Sequence, residues 1–461
     1  MSDSIGRTKK TVDLTQGNIL KEIIVFALPM LAGEILLNLY SSVDAITVGR
    51  FCGFRQLAAI ESSADIINFI ISFSSGLSVG GGILISRYFG ARNYEKVSDM
   101  LHTALAFAFA FGAIVAGASI ILTPNILRGI VRCPEDILPQ ATLYLRIYFI
   151  GYFFECPYTM AAQIMRSMGN SASPFKYSVI AGAVNVVLDC FAVIVLDWGV
   201  AGVAVATVAS QIITFVCAMV HMTRSRDEYH VEIRKLKINW KDLWEIMTFG
   251  LPLALQHTLV SFSNMFIQRY INRFDDPAML AGIGAAKKVD KFVGLVVSKL
   301  AQALATFIGQ NLGAGKKDRI RTGLKRTLFL SLSYAVAAGG LLFAFAPAVI
   351  GLFTTDTGSI GYGVGMMRTM MPAYSIFALY NILTFSCRAF NKSSIVTLCA
   401  FIGMVICRQS YLAIGFSIVE KISLVYFAWP VGWLASTLMV FVFFMRVVRP
   451  QIRRTGQEIQ P

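Results

Sequence analysis

The sequence predicts an all-α integral membrane protein, with twelve transmembrane helices arranged as two parallel six-helix repeats around a central cavity. Three observations predict this fold class: an apolar composition, a series of apolar stretches of bilayer length, and an internal repeat. Of the 461 residues, 56% are hydrophobic and only 15% are charged, whereas soluble domains usually carry roughly a quarter charged residues. The composition therefore excludes an ordinary soluble domain.

The apolar stretches set the number of helices. A helix that spans a bilayer needs about 20 mostly apolar residues. Twelve stretches meet this requirement: residues 23–48, 56–86, 100–122, 138–165, 177–196, 198–222, 246–268, 279–309, 327–352, 363–387, 393–417 and 422–445. The first stretch lacks a small-residue cleavage site, so we expect it to remain in the mature protein rather than to be a signal peptide.

The two halves of the sequence match each other at a spacing of 223 residues. The matching pairs are Phe26–Pro29 with Phe249–Pro252, Arg50–Phe51 with Arg273–Phe274, and Gly90–Ala91 with Gly313–Ala314. Because six helices per repeat is an even number, both repeats enter the membrane from the same side and are parallel. We therefore expect an N-terminal lobe of residues 1–222, a linker of residues 223–245, and a C-terminal lobe of residues 246–461 with a basic tail.

The net charge of +15 is unevenly distributed along the chain. If both termini are cytoplasmic, most of the 41 Lys and Arg residues fall in the inner segments, as the positive-inside rule requires. We therefore predict that both termini and the linker are cytoplasmic, in a bacterial-type plasma membrane such as the cell inner membrane. The positive charge indicates contact with the lipid bilayer and does not indicate a nucleic-acid partner.

One aspartate interrupts an otherwise uncharged span. Asp189 lies in the stretch 177–196, and a charged side chain at mid-membrane costs about 2.5–3.5 kcal/mol even on the permissive insertion scale. Asn185 is four residues earlier and shares its helix face, and other spans add Asp44 and Thr207. Carboxylate, amide and hydroxyl oxygens suit a hard cation or a shared proton. The pattern predicts a coupling-ion site; the alternative is a buried protonated acid that is hydrogen-bonded to a neighbour.

The acids within the predicted spans are concentrated in the first half. They are Glu34, Asp44, Glu61, Asp65, Glu155 and Asp189, whereas Asp290 stands alone in the second half, among Lys287, Lys288, Lys291 and Lys299. We therefore expect the coupling ion to bind in the first lobe. Glu34, Lys287 and Lys291 are candidate residues of the substrate cavity, where Lys291 would attract anionic or zwitterionic groups. A local ion pair between Lys287 and Asp290 is the alternative role for Lys287.

Each half has a proline inside its first predicted helix. Pro29 and Pro252 lack a backbone N–H and interrupt the hydrogen-bond ladder of their helices. Helix bending at these two positions is the functional interpretation, and a static kink filled by neighbouring side chains is the structural one.

Several motifs together resemble one known family. They are the Leu28–Pro29 and Asp44 pattern, the loop sequences ISRYFGARNYEKV (85–97) and IGQNLGAGKKDRI (308–320), MRSMGN (165–170) with its echo CRAFNK (387–392), and NVVLD (185–189). From about residue 15 to 447, the chain looks like the multidrug and toxic compound extrusion (MATE) transporters, in particular the prokaryotic DinF-like branch. This resemblance implies two six-helix lobes and export of drugs and metabolites in exchange for sodium or protons.

The resemblance also implies roles for particular residues. The first-lobe ion site of the family maps onto Asp44, Asn185, Asp189 and Thr207, with Pro29 as the bending proline of the first helix. Other branches of the family carry acids in the seventh and tenth helices, and the corresponding spans, 246–268 and 363–387, contain none. A second-lobe ion site is therefore not expected, and the second-lobe lysines depart from a cavity that is suited only to cations.

We therefore expect a secondary antiporter that exports amphipathic small molecules in exchange for Na⁺ or H⁺ by alternating access of the two lobes. The alternative within the same superfamily is a flippase for a lipid-linked sugar, and a membrane-embedded transferase is a further one. The sequence has no GxxxxGK[ST] phosphate-binding loop, so ATP is not expected as the energy source. The four histidines and eight cysteines form no catalytic or zinc motif. No cofactor beyond the coupling ion and no enzymatic activity are expected.

Overall fold

A computed structural model of the chain describes residues 12–48, 51, 54–131, 133–135 and 137–453. The described side chains do not include those of residues 41–46, 55, 57, 58, 61, 62, 65, 130, 131 and 453. The side chain of Asp44, one of the predicted ion ligands, therefore lies outside the described part. Within that part all regular structure is helical, which confirms the predicted fold class.

The helices are labelled in chain order. They are α1 Ile19–Thr47, α2 Phe54–Gly90, α3 Tyr94–Ile126, α4 Leu138–Ser167, α5 Ala172–Cys190, α6 Gly199–Arg224, α7 Trp240–Asn272, α8 Pro277–Gly313, α9 Lys317–Ala344, α10 Ala346–Gly351, α11 Thr357–Met370, α12 Tyr374–Ala389, α13 Ser393–Ala400, α14 Arg408–Ile418, α15 Ile422–Phe443 and α16 Arg449–Arg453. Wider π-helical turns follow α3, α5, α13 and α15 at Leu127–Val131, Phe191–Val195, Phe401–Cys407 and Phe444–Val448.

Ten helical stretches in the described residues are long and apolar enough to cross a membrane. The other two predicted spans form α4 and α7, which have 30 and 33 residues. At 1.5 Å per residue both helices exceed the roughly 30 Å hydrocarbon core. The chain is therefore a multi-pass membrane protein whose helices agree with the sequence-based spans.

The chain divides into two compact units. The first contains Leu28–Gly250 and the chain up to Asp13, and the second contains Leu14–Ala27 and the chain from Leu251 onwards. Each boundary inside a helix falls one residue before a proline, Pro29 in α1 and Pro252 in α7. Consequently α1 and α7 each contribute residues to both units.

Glycines bring helices close together inside the first unit. Gly82 on α2 faces α4, where an added Cβ would lie 2.6 Å from a carbon of Gln163. Gly80 faces the backbone of Gly250 near the start of α7, and an added Cβ would lie 2.3 Å from its Cα. Only a residue without a side chain permits such an approach. The Gly80–Gly82 stretch is therefore a packing surface for α4 and for the first turns of α7.

The linker between the repeats docks onto the first unit. His102 on α3 donates from Nδ1 to the carbonyl of Ser98 at 2.7 Å and accepts the backbone N–H of Glu232 through Nε2 at 3.0 Å. Lys96 forms an ion pair of 2.6 Å with Asp242 at the start of α7. The structure therefore ties the linker to α3 at several points.

A short segment before α1 is held by the second unit. Asn311 donates to the carbonyl of Leu14 at 3.0 Å, and the guanidinium group of Arg319 donates to the carbonyls of Gln16 and Gly17 at 2.7 and 3.0 Å. The Leu14 side chain is fully buried. These bonds explain why the chain from Leu14 belongs to the second unit, although it precedes the whole first repeat.

Candidate functional site

The buried side of α5 carries two of the residues that the sequence selected. Asn185 is 6% exposed and Asp189 is fully buried. They share this side with Ala181 and Gly182, because residues three and four apart lie on one helix face. On the opposite side, Val187 is 66% exposed. The helix therefore turns its polar groups inward and its apolar groups outward, as expected for a span in lipid.

Helix α1 runs alongside α5 in the same unit. An added Cβ on Gly33 would lie 3.6 Å from the ring of Phe175, and Gly182 packs directly against the ring of Tyr40. Gly33 precedes Tyr40 in α1 by the same number of residues as Phe175 precedes Gly182 in α5. The two helices are therefore parallel neighbours. The α1 turn that follows Tyr40 therefore lies level with the α5 turn that follows Gly182.

A buried apolar cluster fixes four elements at one level of the first unit. It contains Val48 after α1, Tyr144 of α4, Val193 of the π-helical turn after α5, and Val203 of α6. Helices α1 and α5 run toward this cluster, whereas α4 and α6 begin near it and run away. Moving one helical turn inward from this cluster therefore leads to lower residue numbers in α1 and α5. The same movement leads to higher residue numbers in α4 and α6.

Four polar residues occupy that next turn. Asp44, Tyr148, Asp189 and Thr207 each lie four residues from a member of the apolar cluster, which is roughly 6 Å along a helix axis. The backbones of four helices thus bring these positions within about one helical turn of the same level. Asn185 lies one further turn inward on α5. Oxygen-bearing residues from several helices are the kind of ligand set that a cation or a shared proton requires.

Thr207 and Tyr148 differ in how their hydroxyl groups are engaged. Thr207 is half-buried and donates to the carbonyl of Val203 at 3.0 Å, which leaves the lone pairs of its oxygen as acceptors. Tyr148 is 7% exposed, and the sequence analysis did not select it. Its signal is the spacing of Tyr144, Tyr148 and Tyr152, which repeat every four residues and lie on one face of α4.

Further polar groups continue inward from this level. Tyr152 shares a hydrogen bond with Ser74 of α2, and Thr159 donates to the carboxylate of Glu155 at 3.2 Å. Gln211 of α6 is 7% exposed and lies against Gly151, which has no side chain to exclude it. The interior of the first unit therefore contains more hydrogen-bonding groups than the four residues selected from the sequence.

The predicted cavity residues lie in different surroundings. Glu34 on α1 is half-buried, and its backbone carbonyl accepts a hydrogen bond of 2.8 Å from Asn38. Lys291 on α8 is exposed. The role of Glu34, Lys287 and Lys291 in a cavity remains a prediction.

The alternative of a Lys287–Asp290 ion pair is not what the structure contains. Lys287 donates to the side-chain oxygen of Gln268 at 2.8 Å and lies 5.7 Å from the ring centre of Trp429. Asp290 instead accepts a hydrogen bond from the hydroxyl of Tyr374. Each charged group has a neutral partner on another helix, because long side chains reach across helices as readily as along one.

The prolines do not end their helices. Both α1 and α7 continue through Pro29 and Pro252. The carbonyl of Pro252 accepts a hydrogen bond of 2.8 Å from the hydroxyl of Thr397 on α13. This contact stabilises α7 beside the position where a proline removes a backbone donor.

The described residues contain no group of three or more His, Cys, Asp or Glu side chains that could hold a metal ion. The Asp44 side chain is not among those residues. The predicted ligands Asp44, Asn185, Asp189 and Thr207 are carboxylate, amide and hydroxyl groups, whose oxygens suit hard cations.

Repeated membrane-spanning helices with buried polar groups are typical of small-molecule membrane transporters. The MatE family model matches residues 29–191 and 252–410, more than half of the chain and once in each repeat. The chain therefore belongs to the MATE family of transporters.

Individual relatives agree with this assignment. The chain is 24% identical over 405 residues to the probable multidrug resistance protein YpnP of Bacillus subtilis, covering 88% of this chain and 90% of that protein. It is 22% identical over 355 residues to the multidrug export protein MepA of Staphylococcus aureus, covering 77% and 78%. A solved outward-facing multidrug resistance MATE transporter matches with a TM-score of 0.88 and 20% identity, over 97% of this chain and 100% of that one.

Proposed function

We propose that this protein is a secondary antiporter that exports amphipathic small molecules in exchange for Na⁺ or H⁺. The names of the relatives support export of drug-like compounds, because YpnP and MepA are both described as multidrug proteins. They give no support to the alternative of a lipid-linked sugar flippase. The observation that carries the proposed coupling is the burial of Asp189, with Asn185, on the inward side of α5.

In this proposal Asp44 and Asp189 carry the charge of the coupling-ion site. Asn185 and Thr207 add neutral oxygen ligands, and Tyr148 lies at the same level as Asp189 and Thr207. A buried carboxylate is costly unless a proton or cation neutralises it. The site therefore favours occupation by one positive charge, and release of that charge on one side of the membrane is the step that a gradient can drive.

Alternating access is the proposed way in which the exchange takes place. The ion and the substrate bind to different conformations of the protein. The free energy of the ion gradient is therefore transferred to the transported substrate. Pro29 and Pro252 are the proposed bending points, because the two compact units divide one residue before each of them. Glu34, Lys287 and Lys291 remain the proposed cavity residues, with Lys291 favouring anionic or zwitterionic groups.

Gradient-driven export tests the proposed coupling. The purified protein is reconstituted into liposomes, and transport of the cationic fluorophore ethidium is followed under imposed Na⁺ and pH gradients, one at a time. Wild-type protein should export ethidium when one of these two gradients is imposed. Asp189→Asn should lose gradient-driven export almost completely while folding normally, because the substitution removes a buried charge without changing the shape of the side chain.

The matched control is Asp197→Asn. Asp197 is exposed just beyond the π-helical turn that follows α5 and has a positive φ of 52°, a conformation that asparagine tolerates well. Its substitution should leave transport unchanged. Normal export by Asp189→Asn would show that Asp189 is only a buried structural acid, and export that ignores both gradients would contradict antiport itself.

A further inference from the structure

A cleft opens between α7 and α14 in the second unit. It has a volume of about 1010 Å³ and is lined by the last three turns of α7, by the end of the π-helical turn Phe401–Cys407, and by α14. Cavities of this size accommodate drug-sized molecules. None of the residues selected from the sequence lines this cleft, so it is a separate feature of the second unit.

One part of the cleft is aromatic. Phe262 and Phe266 of α7 contact each other edge to face, with ring centres 5.0 Å apart, and are 49% and 40% exposed. Val405 and Ala413 complete the apolar wall on the opposite side. An apolar ligand body placed here would gain by covering exposed ring surface.

The other part of the cleft is cationic. Arg269 and Arg273 follow the two phenylalanines along α7 and both line the cleft. Arg273 forms an ion pair of 2.7 Å with Glu420, in which both side chains are about half exposed. Arg269 is exposed, and the ion pairs found among the described residues do not include it. The cleft therefore holds one arginine whose charge is not balanced by a neighbouring carboxylate.

A third cation is linked to the same end of the cleft. Lys287 donates to Gln268, and Gln268 donates in turn to the side-chain oxygen of Asn272 at 2.8 Å. Asn272 lines the cleft, and because its oxygen is engaged, its NH₂ group remains as a donor. The hydrogen-bond chain therefore presents a donor, rather than an acceptor, on the cationic side.

Gln409 is a polar residue of α14, the helix that faces α7 across the cleft. Its nitrogen donates to both the carbonyl and the hydroxyl of Ser263 at 2.9 Å. This fixes the amide so that its oxygen is the remaining acceptor at the cleft. A ligand can therefore place an N–H or O–H group between its apolar body and its charged end.

We propose that this cleft binds an amphipathic anion, with the apolar body on Phe262 and Phe266 and a carboxylate or phosphate group at Arg269. Seven residues separate Phe262 from Arg269, which corresponds to roughly 10 Å along the helix. The ligand therefore carries its negative charge at about that distance from the far end of its apolar part. The inference rests on the proposed export of small molecules and adds a class of substrate to it.

Binding to the purified protein in neutral detergent tests this inference. The probes are dansylglycine and dansylcadaverine, which share one aromatic body and one sulfonamide N–H but carry a carboxylate and an ammonium group, respectively. Fluorescence titration should show tighter binding of dansylglycine. Arg269→Gln should weaken dansylglycine binding at least tenfold and leave dansylcadaverine binding unchanged or tighter. Phe266→Ala should weaken the binding of both probes.

The matched control is Arg368→Gln. Arg368 is an exposed arginine of the same unit that packs over Phe343, 5.7 Å from its ring centre, and does not line the cleft. Its substitution should change the binding of neither probe. Arg269→Lys keeps the positive charge and should retain the preference for dansylglycine, so the test remains decisive if Arg269→Gln does not fold.

Equal binding of the two probes by wild-type protein, or dansylglycine binding that survives Arg269→Gln, would overturn the inference. Competition identifies the source of the anion: displacement by phosphatidylglycerol but not by phosphatidylcholine indicates a lipid headgroup, and no displacement indicates a soluble ligand. Because binding in detergent needs no gradient, it is independent of the proposed coupling. Gradient-driven ethidium export without dansylglycine binding would overturn only the proposed anion binding in the cleft. Dansylglycine binding without any ethidium export would overturn the transport proposal.

Discussion

At the residue scale, the polar level of the first unit combines one fully buried carboxylate with neutral oxygen groups. Asp189 has no exposed surface, and Asn185 and Thr207 approach the same region from α5 and α6. A charged ligand contributes most of the attraction for a cation, and a neutral oxygen contributes a smaller part through its dipole. The two kinds of residue should therefore respond differently to substitution.

We expect Asn185→Ala and Thr207→Ala each to weaken the binding of the coupling ion by about 1 kcal/mol, or roughly fivefold, because each removes one neutral ligand. Maximal transport should be retained at a high ion concentration. The measurement is the ion concentration that gives half-maximal export in liposomes. Ser178→Ala, on the same buried side of α5 but two turns or more away, is the control and should show no shift. An equal shift in all three variants would indicate a general packing effect.

Some of these residues could be predicted from the sequence and others could not. Asn185 and Asp189 stand out because polar side chains are costly in an apolar span. Tyr148 does not stand out, because tyrosine is common in membrane helices and only the fold shows that it reaches the same level. The hydrogen bond between Lys287 and Gln268 could not be predicted either, because it joins α8 to α7.

At the element scale, two ion pairs of the linker differ in burial: one attaches the linker to α3, and the other lies within the linker. The Lys96–Asp242 ion pair has a distance of 2.6 Å, with 26% and 2% of the side chains exposed. The Lys235–Glu232 ion pair has a distance of 2.7 Å, but its side chains are 58% and 48% exposed. The two pairs have the same chemistry and nearly the same length, but only the Lys96–Asp242 pair is partly buried and joins the linker to another helix.

We expect Lys96→Ala to destabilise the protein by about 2 kcal/mol, because it leaves the buried carboxylate of Asp242 without its cation. Lys235→Ala should have a much smaller effect, since exposed ion pairs contribute little. Thermal unfolding in detergent, followed by gel filtration, compares the two variants. Similar losses would show that burial of Asp242 does not determine the strength of the attachment.

The extent of the helices was largely predictable, and their fine structure was not. The predicted span 138–165 became Leu138–Ser167, and 422–445 became Ile422–Phe443 followed by a π-helical turn. Hydropathy reports which residues favour lipid, but it contains no information on which carbonyl each N–H chooses. The π-helical turns, including Phe191–Val195 just beyond Asp189, were therefore not predicted.

At the scale of the whole molecule, the orientation in the membrane remains a prediction from charge. The region 355–361 is expected outside and the linker inside. Within that outer region Ser359 is a poor reporter, because it is only 3% exposed and its backbone N–H is capped by Asp356. Thr355 is exposed, as is Arg234 in the linker.

We expect Thr355→Cys to react with a membrane-impermeant maleimide in intact cells, and Arg234→Cys to react only after the cells are opened. Each substitution is made in a variant in which the eight native cysteines have been replaced. The physical reason is the excess of Lys and Arg on one side, which sets the direction of insertion. Reaction of both sites, or the reverse pattern, would contradict the orientation.

The repeat could be predicted at this scale, but the division of the chain could not. Matching pairs at a constant spacing are visible in the sequence, and they indicated lobes that meet in a linker. In the structure the compact units divide at Ala27–Leu28 and Gly250–Leu251, inside α1 and α7. Sequence similarity identifies copies of a pattern, whereas compactness depends on contacts between segments that are distant in the chain.

The bonds between the segment before α1 and the second unit also set an order in time. Leu14 leaves the ribosome before its partner Arg319, which follows 305 residues later. At roughly 5–20 residues per second, synthesis leaves this segment without its partner for roughly 15–60 s. The first unit can assemble during that interval, before the start of α1 has formed its contacts with the second unit. The contacts between this segment and the second unit can therefore form only after Arg319 has been synthesised.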